Sequence, residues 1–341
     1  MFRFLANLRP EPYIDGFEIF GVEIKLYAII ILCGALLVAL YGYYRFAKKL
    51  GLTEDQVTEG VAIGLLCGIM GARLYYVIFN HEGITSFWDV INPRGGGLAI
   101  HGGVIATIFF LLIFTKVKKI RFITLVEIVV PLFIGAQVIG RWGNFFNQEA
   151  FGPIIDSIGG LTKENVINAS IAGKGSYYNP YVLNEATLIA QREFLHKCLI
   201  PDFIVNQMYI ENGWILLEGQ EIYISGYYHP TFLYESLMNA CICAFMLIGR
   251  KYIKHYYVGD SVGVYLIGYG IVRIIIESLR TDPLMIGSIK VAQLISILFV
   301  IGGIAFLVLR RVFKFYLESC HTVFYTEGQT MMLGNKEDEN E

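Results

Sequence analysis

The sequence predicts an all-α polytopic membrane protein: seven transmembrane helices and a small exoplasmic head domain, N-terminus outside and C-terminus cytoplasmic. Three observations predict it. Hydrophobic residues make up 55% of the 341 residues and charged ones only 16%, with a mean hydropathy of +0.55, a balance that excludes an ordinary soluble domain. Seven mostly apolar segments approach the roughly 20 residues that cross the hydrocarbon: 25–44, 58–79, 98–115, 122–141, 230–249, 259–279 and 290–309. Finally, the basic clusters fall on one side if these segments alternate. They are Arg45/Lys48/Lys49, Lys116/Lys118/Lys119/Arg121, Arg250/Lys251/Lys254 and Arg310/Arg311/Lys314. Positive charge marks the cytoplasmic face, and moving one helix out of the count would put two clusters outside.

Residues 1–24 form an exoplasmic N-terminal arm. Arg3, Arg9, Glu11, Asp15, Glu18 and Glu23 with Pro10 and Pro12 do not make the basic-then-apolar pattern of a signal peptide. Residues 25–141 hold helices one to four. Helix two carries Gly60, Gly64 and Gly68 at four-residue spacing, with Gly71 beyond, which lets a neighbouring backbone approach closely. Pro131 is expected to bend helix four. The stretch 142–229 is too long for a plain loop and is read as the head, with short strands at 214–228. Within it Asn168-Ala169-Ser170 matches a glycosylation acceptor by chance. Residues 230–315 hold helices five to seven. The remainder, 316–341, ends Lys336-Glu337-Asp338-Glu339-Asn340-Glu341 and reads as a disordered cytoplasmic tail.

Of six cysteines, Cys33, Cys67, Cys241 and Cys243 lie in apolar segments, Cys198 in the long polar stretch and Cys320 in the tail. None form a CxxC pair, so no metal site or disulfide framework is expected, and the four membrane cysteines are read as packing residues.

The most informative run is Gly140-Arg141-Trp142-Gly143-Asn144-Phe145-Phe146-Asn147-Gln148-Glu149-Ala150-Phe151-Gly152, at the end of an apolar segment. One arginine at a helix centre costs about 2.5–3.5 kcal/mol on insertion scales, so such groups normally face a protein-lined or wet cavity. Other ionisable groups sit at the same outer ends: Arg73, His101 within a glycine-rich run, and His229 and Glu235 opening helix five. Tyr269, Arg273, Glu277 and Arg280 run along helix six, and their offsets of 0, 4, 8 and 11 place them on one stripe. An internal Arg–Glu packing pair explains Arg273 and Glu277 alone, and snorkelling explains Arg280 alone, but neither accounts for Arg141 and His101 at the same depth. Glu127 is read as a structural residue near Arg121, and His81, His196, His255 and His321 as solvated. Guanidinium groups bind phosphate through paired donors, so an anionic phospholipid headgroup is the natural guest.

These motifs resemble the prolipoprotein diacylglyceryl transferase family of bacteria. Gly140 to Gly152 matches its signature G-R-x-G-N-F-x-N-x-E-x-x-G at all eight fixed positions in thirteen residues. Gly96 to Gly103, His229 to Glu235, and Gly268 to Arg273 through Glu277 to Thr281 match in order, and Tyr27 stands where the family keeps a tyrosine. The resemblance covers roughly residues 20–312. Phe232 replaces the family's usual glutamine, and the head and tail match no motif.

The resemblance implies seven transmembrane helices with an exoplasmic head, in the bacterial plasma membrane. It implies transfer of the diacylglyceryl group of phosphatidylglycerol to the lipobox cysteine of prolipoprotein signal peptides, forming a thioether and releasing glycerol phosphate. Phosphatidylglycerol, prolipoproteins and membrane lipids are the expected partners; no cofactor, metal or nucleic acid is expected. The catalytic set it implies is His101, Arg141 and Arg273, with His101 as base or phosphate ligand. The substrate-binding set is Tyr27, Gly143, Asn144, Asn147, Glu149, Gly152, Tyr234, Glu235, Tyr269, Glu277 and Arg280. In it Glu277 orients Arg273, Asn144 and Glu149 read glycerol hydroxyls, Tyr234 and Glu235 close the same wall, and Tyr27 and Tyr269 donate to phosphate oxygens.

Two rivals stay open. An anionic-lipid transporter also keeps intramembrane Arg and Glu, but no two halves of the chain resemble each other as paired repeats would. A membrane acyltransferase would need a Cys or Ser nucleophile, or a His–Asp pair, at the outer face.

Overall fold

A computed structural model describes residues 16–19, 22–48, 51–79, 97, 99–147, 151–155, 181–183, 185–217, 220–279, 285–286, 289–315 and 317–325. The chain is mostly helical. A hairpin of β1 (Gly16–Ile19) and β2 (Val22–Lys25) leads into α1 (Leu26–Gly42), which continues through a wider turn over Tyr43–Ala47. Then come α2 (Glu54–Phe79), α3 (Ile100–Val117) and α4 (Phe122–Asn147). A mixed segment follows, with β3 (Tyr181–Val182), α5 (Glu185–Lys197), α6 (Asp202–Gln207), β4 (Tyr209–Leu217) and β5 (Gln220–Tyr227). The chain ends with α7 (Thr231–Tyr252), α8 (Asp260–Ser278), the short hairpin β6 (Met285–Ile286) and β7 (Ile289–Lys290), α9 (Val291–Val312) and α10 (Cys320–Tyr325).

All seven apolar segments are helical. Among the described residues five helices, α2, α4, α7, α8 and α9, are long and apolar enough to cross a membrane, which makes the chain a multi-pass membrane protein; two shorter apolar helices, Leu32–Ala47 and His101–Val117, fill the remaining segments. Large apolar side chains stay exposed on one stripe of α9, at Leu294, Ile297, Leu298, Ile301 and Ile304. That is the surface a bilayer, not water, accommodates.

The chain packs as two compact units. The first comprises Met1–Ala35, Ile134–Ala244 and Val264–Ala305. Its core is the mixed segment together with the end of α4 and the start of α7: Phe145, Ile154, Leu188, Leu195, Val205, Ile224 and Phe232 are all buried. The three-stranded sheet has the order β3-β5-β4, with β4 antiparallel and β3 parallel to β5. The strands expected at 214–228 are present and begin earlier, at Tyr209. Buried Gln191 of α5 ties the layer together: its Nε2 donates to the Ile155 carbonyl at 2.7 Å and its Oε1 accepts from the Tyr227 amide at 3.0 Å.

The second unit comprises Leu36–Phe133, Phe245–Gly263 and Phe306–Glu341. Here the glycines of α2 pack on α3 as their spacing predicts. Gly60 and Gly64 seat the rings of Phe114 and Phe110, while Gly71 and Gly102 meet backbone to backbone with no room for a Cβ on either.

Glu127 corrects the sequence reading. Its partner is Arg250, not Arg121, which reaches Glu318 instead. Glu127 and Arg250 are both 0% exposed. The carboxylate accepts from Arg250 Nε at 3.1 Å, the Gly259 amide at 2.8 Å, the Ser261 amide at 3.1 Å and the Ser261 hydroxyl. Four donors fill its acceptor sites, which is what a buried carboxylate requires. The Arg250 guanidinium lies against the rings of Phe46 and Phe324, 5.0 and 5.2 Å from their centroids. Nearby, Asp260 pairs with Arg310 at 2.7 Å and Arg311 at 2.8 Å.

The presence of Phe324 in this cluster is a second correction. Residues 317–325, read from sequence as disordered tail, fold back onto the 256–258 loop through Val258 N to Glu318 O and Cys320 N to Tyr256 O, both at 2.9 Å. Burial of Cys320, Val323 and Phe324 supplies the apolar area that the charged terminal sequence lacks; residues 326–341 lie outside the described set.

Glu127→Gln keeps the shape but removes the charge that balances Arg250. Because the partner charge stays buried, it should lower stability in detergent by about 3–5 kcal/mol. An unchanged thermal melt would show that Arg250 does not depend on this carboxylate.

Candidate active site

The site of the first unit is assembled from α4, α7 and α8. Immediately after α4 the chain pairs with the residues that precede α7. The Gly152 amide donates to the His229 carbonyl at 2.8 Å, the His229 amide to the Pro153 carbonyl at 3.0 Å, and the Ile155 amide to the Tyr227 carbonyl at 2.8 Å. Any side chain at Gly152 would strike Thr231 and His229. Two motifs about 80 residues apart in sequence are thereby clamped end to end. Deeper in the helices the Ser236 hydroxyl donates to the Val138 carbonyl at 3.0 Å.

This clamp sets Arg141 against Glu235. Arg141 Nη2 lies 2.6 Å from Glu235 Oε1, and Arg273 Nη1 approaches Glu235 Oε2 at 3.8 Å. Arg273 Nη2 lies 3.1 Å from Glu277 Oε2, one turn further along α8. The carboxylate side chains are 3% exposed, the arginines 23% and 19%. The acids are therefore the buried floor and the guanidinium groups the accessible layer above it. These contacts are charge pairings rather than aligned hydrogen bonds, since Glu235 Oε1 and Glu277 Oε2 have no hydrogen-bond partner. Each guanidinium offers five N–H donors, so both keep donors for an anion presented from the open side.

Aromatic rings complete the wall. Trp142, Phe145 and Phe232 meet with centroids 5.1–5.9 Å apart. Phe232 fills an apolar corner and is 4% exposed. His229 Nδ1 is 3.2 Å from the Tyr234 hydroxyl, and Phe194 meets the imidazole edge-on. Burial lowers the His229 pKa below its ordinary value.

Of the sequence-predicted residues, the structure brings Arg141, Glu235, Arg273 and Glu277 together. Tyr269 sits one turn before Arg273 on α8, and Tyr234 beside Glu235 on α7. Gly143, Asn144 and Asn147 lie in the last turns of α4, which runs on through the motif to Asn147 rather than stopping at 141. Gly152 is packed against the backbone of the following motif.

His101 is exposed, in the first turn of α3, and belongs to the second unit. There its ring lies 6.1 Å from that of Tyr75, and Arg73 Nη1 donates to the Gly97 carbonyl at 3.0 Å. Gly97 has φ +73° with the Tyr76 ring where a Cβ would sit, so glycine is required there. Tyr27 lies in α1 with its side chain outside the described residues; Glu149 and Arg280 lie outside them altogether.

Three polar residues escaped the sequence reading: Gln137, Tyr265 and Asn239. Each lies four residues from one already singled out, Arg141, Tyr269 and Glu235 respectively, and that helical spacing was the available signal. Among the described residues no group of three or more His, Cys, Asp or Glu is placed to hold a metal ion. Burial pushes the Cys320 thiol far up, which makes it inert as a nucleophile.

Fold and site together define a polytopic membrane protein with a balanced arginine–carboxylate cluster among its apolar helices. A model of the prolipoprotein diacylglyceryl transferase family matches residues 15–309, and the chain belongs to that family. Among its relatives is the phosphatidylglycerol–prolipoprotein diacylglyceryl transferase 1 of Clostridium perfringens (strain 13 / Type A), 38% identical over 294 residues, 86% of this chain and 93% of the relative. The corresponding transferase of Clostridium novyi (strain NT) is 38% identical over 296 residues, 86% and 94% of the two chains. That of Bacillus cereus (strain 03BB102) is 37% identical over 286 residues, 84% and 87%.

The His229 shift carries a sign. The unfolded imidazole takes a proton near pH 6.5, the folded one only at lower pH. Stability is therefore full above about pH 6.5 and falls as the pH drops toward the folded value. His229→Asn should flatten the melting temperature measured between about pH 8 and 5; an unchanged acid slope would assign that loss to other groups.

Proposed function

We propose that this chain transfers the diacylglyceryl group of phosphatidylglycerol to the lipobox cysteine thiol of prolipoproteins, the first step of bacterial lipoprotein maturation. The observation that carries the reading is Arg141 and Arg273 converging on one buried carboxylate, Glu235. Family membership supports the reaction class. We place the enzyme in the bacterial plasma membrane as seven spans, with the N-terminus and residues 142–229 exoplasmic and the C-terminus cytoplasmic. The one-sided basic clusters support that topology.

The nucleophile belongs to the substrate. A free thiol has a pKa of about 8.5, so only a few per cent is thiolate at neutral pH. His101 takes the thiol proton. The sulfur attacks the glyceryl carbon bonded to the phosphodiester oxygen, the C–O bond breaks, and a C–S thioether forms. The electron pair leaves on glycerol phosphate, and the guanidinium groups of Arg141 and Arg273 neutralise the charge that gathers there. Preorganised donors of this kind contribute roughly 10²–10³ each in rate. Glu235 and Glu277, already buried and paired, hold the two planes so that little reorganisation accompanies bond breaking. Asn144 and Glu149 read the headgroup glycerol, Gly143, Asn147 and Gly152 belong to the same substrate-binding set, Tyr234 closes that wall, and Tyr27, Tyr269 and Arg280 border the phosphate. The acyl chains and the signal peptide reach the site from the bilayer plane.

The test uses purified protein, phosphatidylglycerol vesicles and a lipobox peptide, with mass spectrometry for a diacylglyceryl adduct on cysteine and a Cys→Ser peptide as control. No adduct from a folded enzyme would overturn the assignment. Arg141→Ala and Arg273→Ala should each lose at least about 10²-fold in kcat, and Arg273→Lys should recover little because lysine lacks the planar fork. Near-normal rates in either alanine variant would refute the phosphate role. His101→Gln should lose most activity near neutral pH and regain it as the pH rises toward the thiol pKa. A loss independent of pH would make His101 a phosphate ligand instead of a base.

A further inference from the structure

A second polar layer lies one to two turns further into the helices than the arginine layer, within the first unit, and the reaction proposed above leaves it unused. Gln137 precedes Arg141 by one turn of α4, and Asn239 follows Glu235 by one turn of α7. The Ser236–Val138 hydrogen bond joins these two helices between the levels. Tyr265 of α8 completes the layer: Gln137 Nε2 donates to its hydroxyl at 3.2 Å, and its ring stacks on Tyr269 with centroids 5.3 Å apart and planes at 5°.

Asn239 is 0% exposed, and neither its amide nitrogen nor its oxygen has a hydrogen-bond partner; Gln137 Oε1 is likewise buried and unpartnered. A buried amide without a partner destabilises a fold, and leucine of similar shape would not. These groups are all neutral, unlike the layer above, so they suit a neutral polar ligand rather than an anion.

We propose that Asn239, with Gln137 and Tyr265, forms a subsite for the ester carbonyls of the diacylglyceryl group. This rests on the diacylglyceryl-transfer reading. If the arginines hold the phosphodiester, the glycerol carbons run from it toward the membrane interior. One acyl ester is attached to the carbon next to the one under attack and the other to the carbon beyond it, a displacement that begins on the scale of one helical turn, about 5.4 Å. Ester carbonyls are acceptors. The buried, unpartnered Asn239 amide supplies N–H donors at that depth, at the level of the Gln137–Tyr265 hydrogen bond. The subsite fixes the glycerol backbone so that the attacked carbon faces the incoming sulfur, and it distinguishes diacyl lipids from dialkyl ether lipids, which have no carbonyl to offer.

The test compares diester phosphatidylglycerol with its dialkyl ether counterpart as the donor in mixed vesicles, using full-length enzyme and a lipobox peptide. kcat and KM are read as functions of donor mole fraction. The wild type should show a KM about tenfold higher for the ether lipid, the effect of one or two lost hydrogen bonds. Asn239→Leu should raise the diester KM to the ether value, leave the ether KM unchanged and melt no lower than wild type. Tyr265→Phe should move the diester KM in the same direction. Equal wild-type KM values for the two lipids would overturn the proposal. So would an Asn239→Leu variant that weakens both lipids equally, as a purely structural role predicts, or one that alters only headgroup preference. If Asn239→Leu fails to fold, the wild-type comparison and Tyr265→Phe still decide. Absence of any adduct with either lipid would instead sink the transfer reading, and this subsite with it.

Discussion

The buried Glu235 carboxylate governs the arrangement of the site. At 2% exposure it needs positive partners, and it finds them on two different helices, Arg141 of α4 and Arg273 of α8. Exposed ion pairs are worth at most about 1 kcal/mol, whereas stripping one partner from a buried pair costs about 3–5 kcal/mol. The arginines are therefore held by the burial of the acid beneath them rather than by surface attraction. Two guanidinium groups that would otherwise repel are kept side by side, with their remaining donors on the accessible face.

That geometry is built from ordinary packing. The segment 151–155 pairs with 227–229 and closes the ends of α4 and α7 together. Trp142, Phe145 and Phe232 fill the corner beneath the mixed sheet with apolar ring contacts. In the second unit Glu127 uses the same physics for stability alone, with four donors around a fully buried carboxylate and aromatic rings over its arginine partner. The difference lies in access. Arg250 is sealed, while Arg141 and Arg273 retain open edges.

Much of this was legible in the sequence. Hydropathy located the seven helical segments, and helical spacing put Tyr269, Arg273 and Glu277 on one face of α8. The glycine ladder of α2 anticipated its close packing on α3. Pairings across long separations were not legible, because nothing in local periodicity says which distant partner a charge meets. Glu127 looked toward Arg121, six residues away, and instead meets Arg250. Glu235 read as one wall of a headgroup site and proves to be the link between two arginines. The end of the chain looked disordered because its charged terminal run masked three apolar side chains, Cys320, Val323 and Phe324, that are buried. Gln137, Tyr265 and Asn239 were passed over because uncharged polar residues leave little trace in a hydropathy profile.

In the proposed reaction both guanidinium groups act on one phosphoryl group as a single device. A double-mutant cycle on kcat/KM with Arg141→Lys, Arg273→Lys and the pair combined measures this most directly. Shared action predicts strong non-additivity, with the double variant little worse than the poorer single one. Losses that multiply as for independent sites would contradict it.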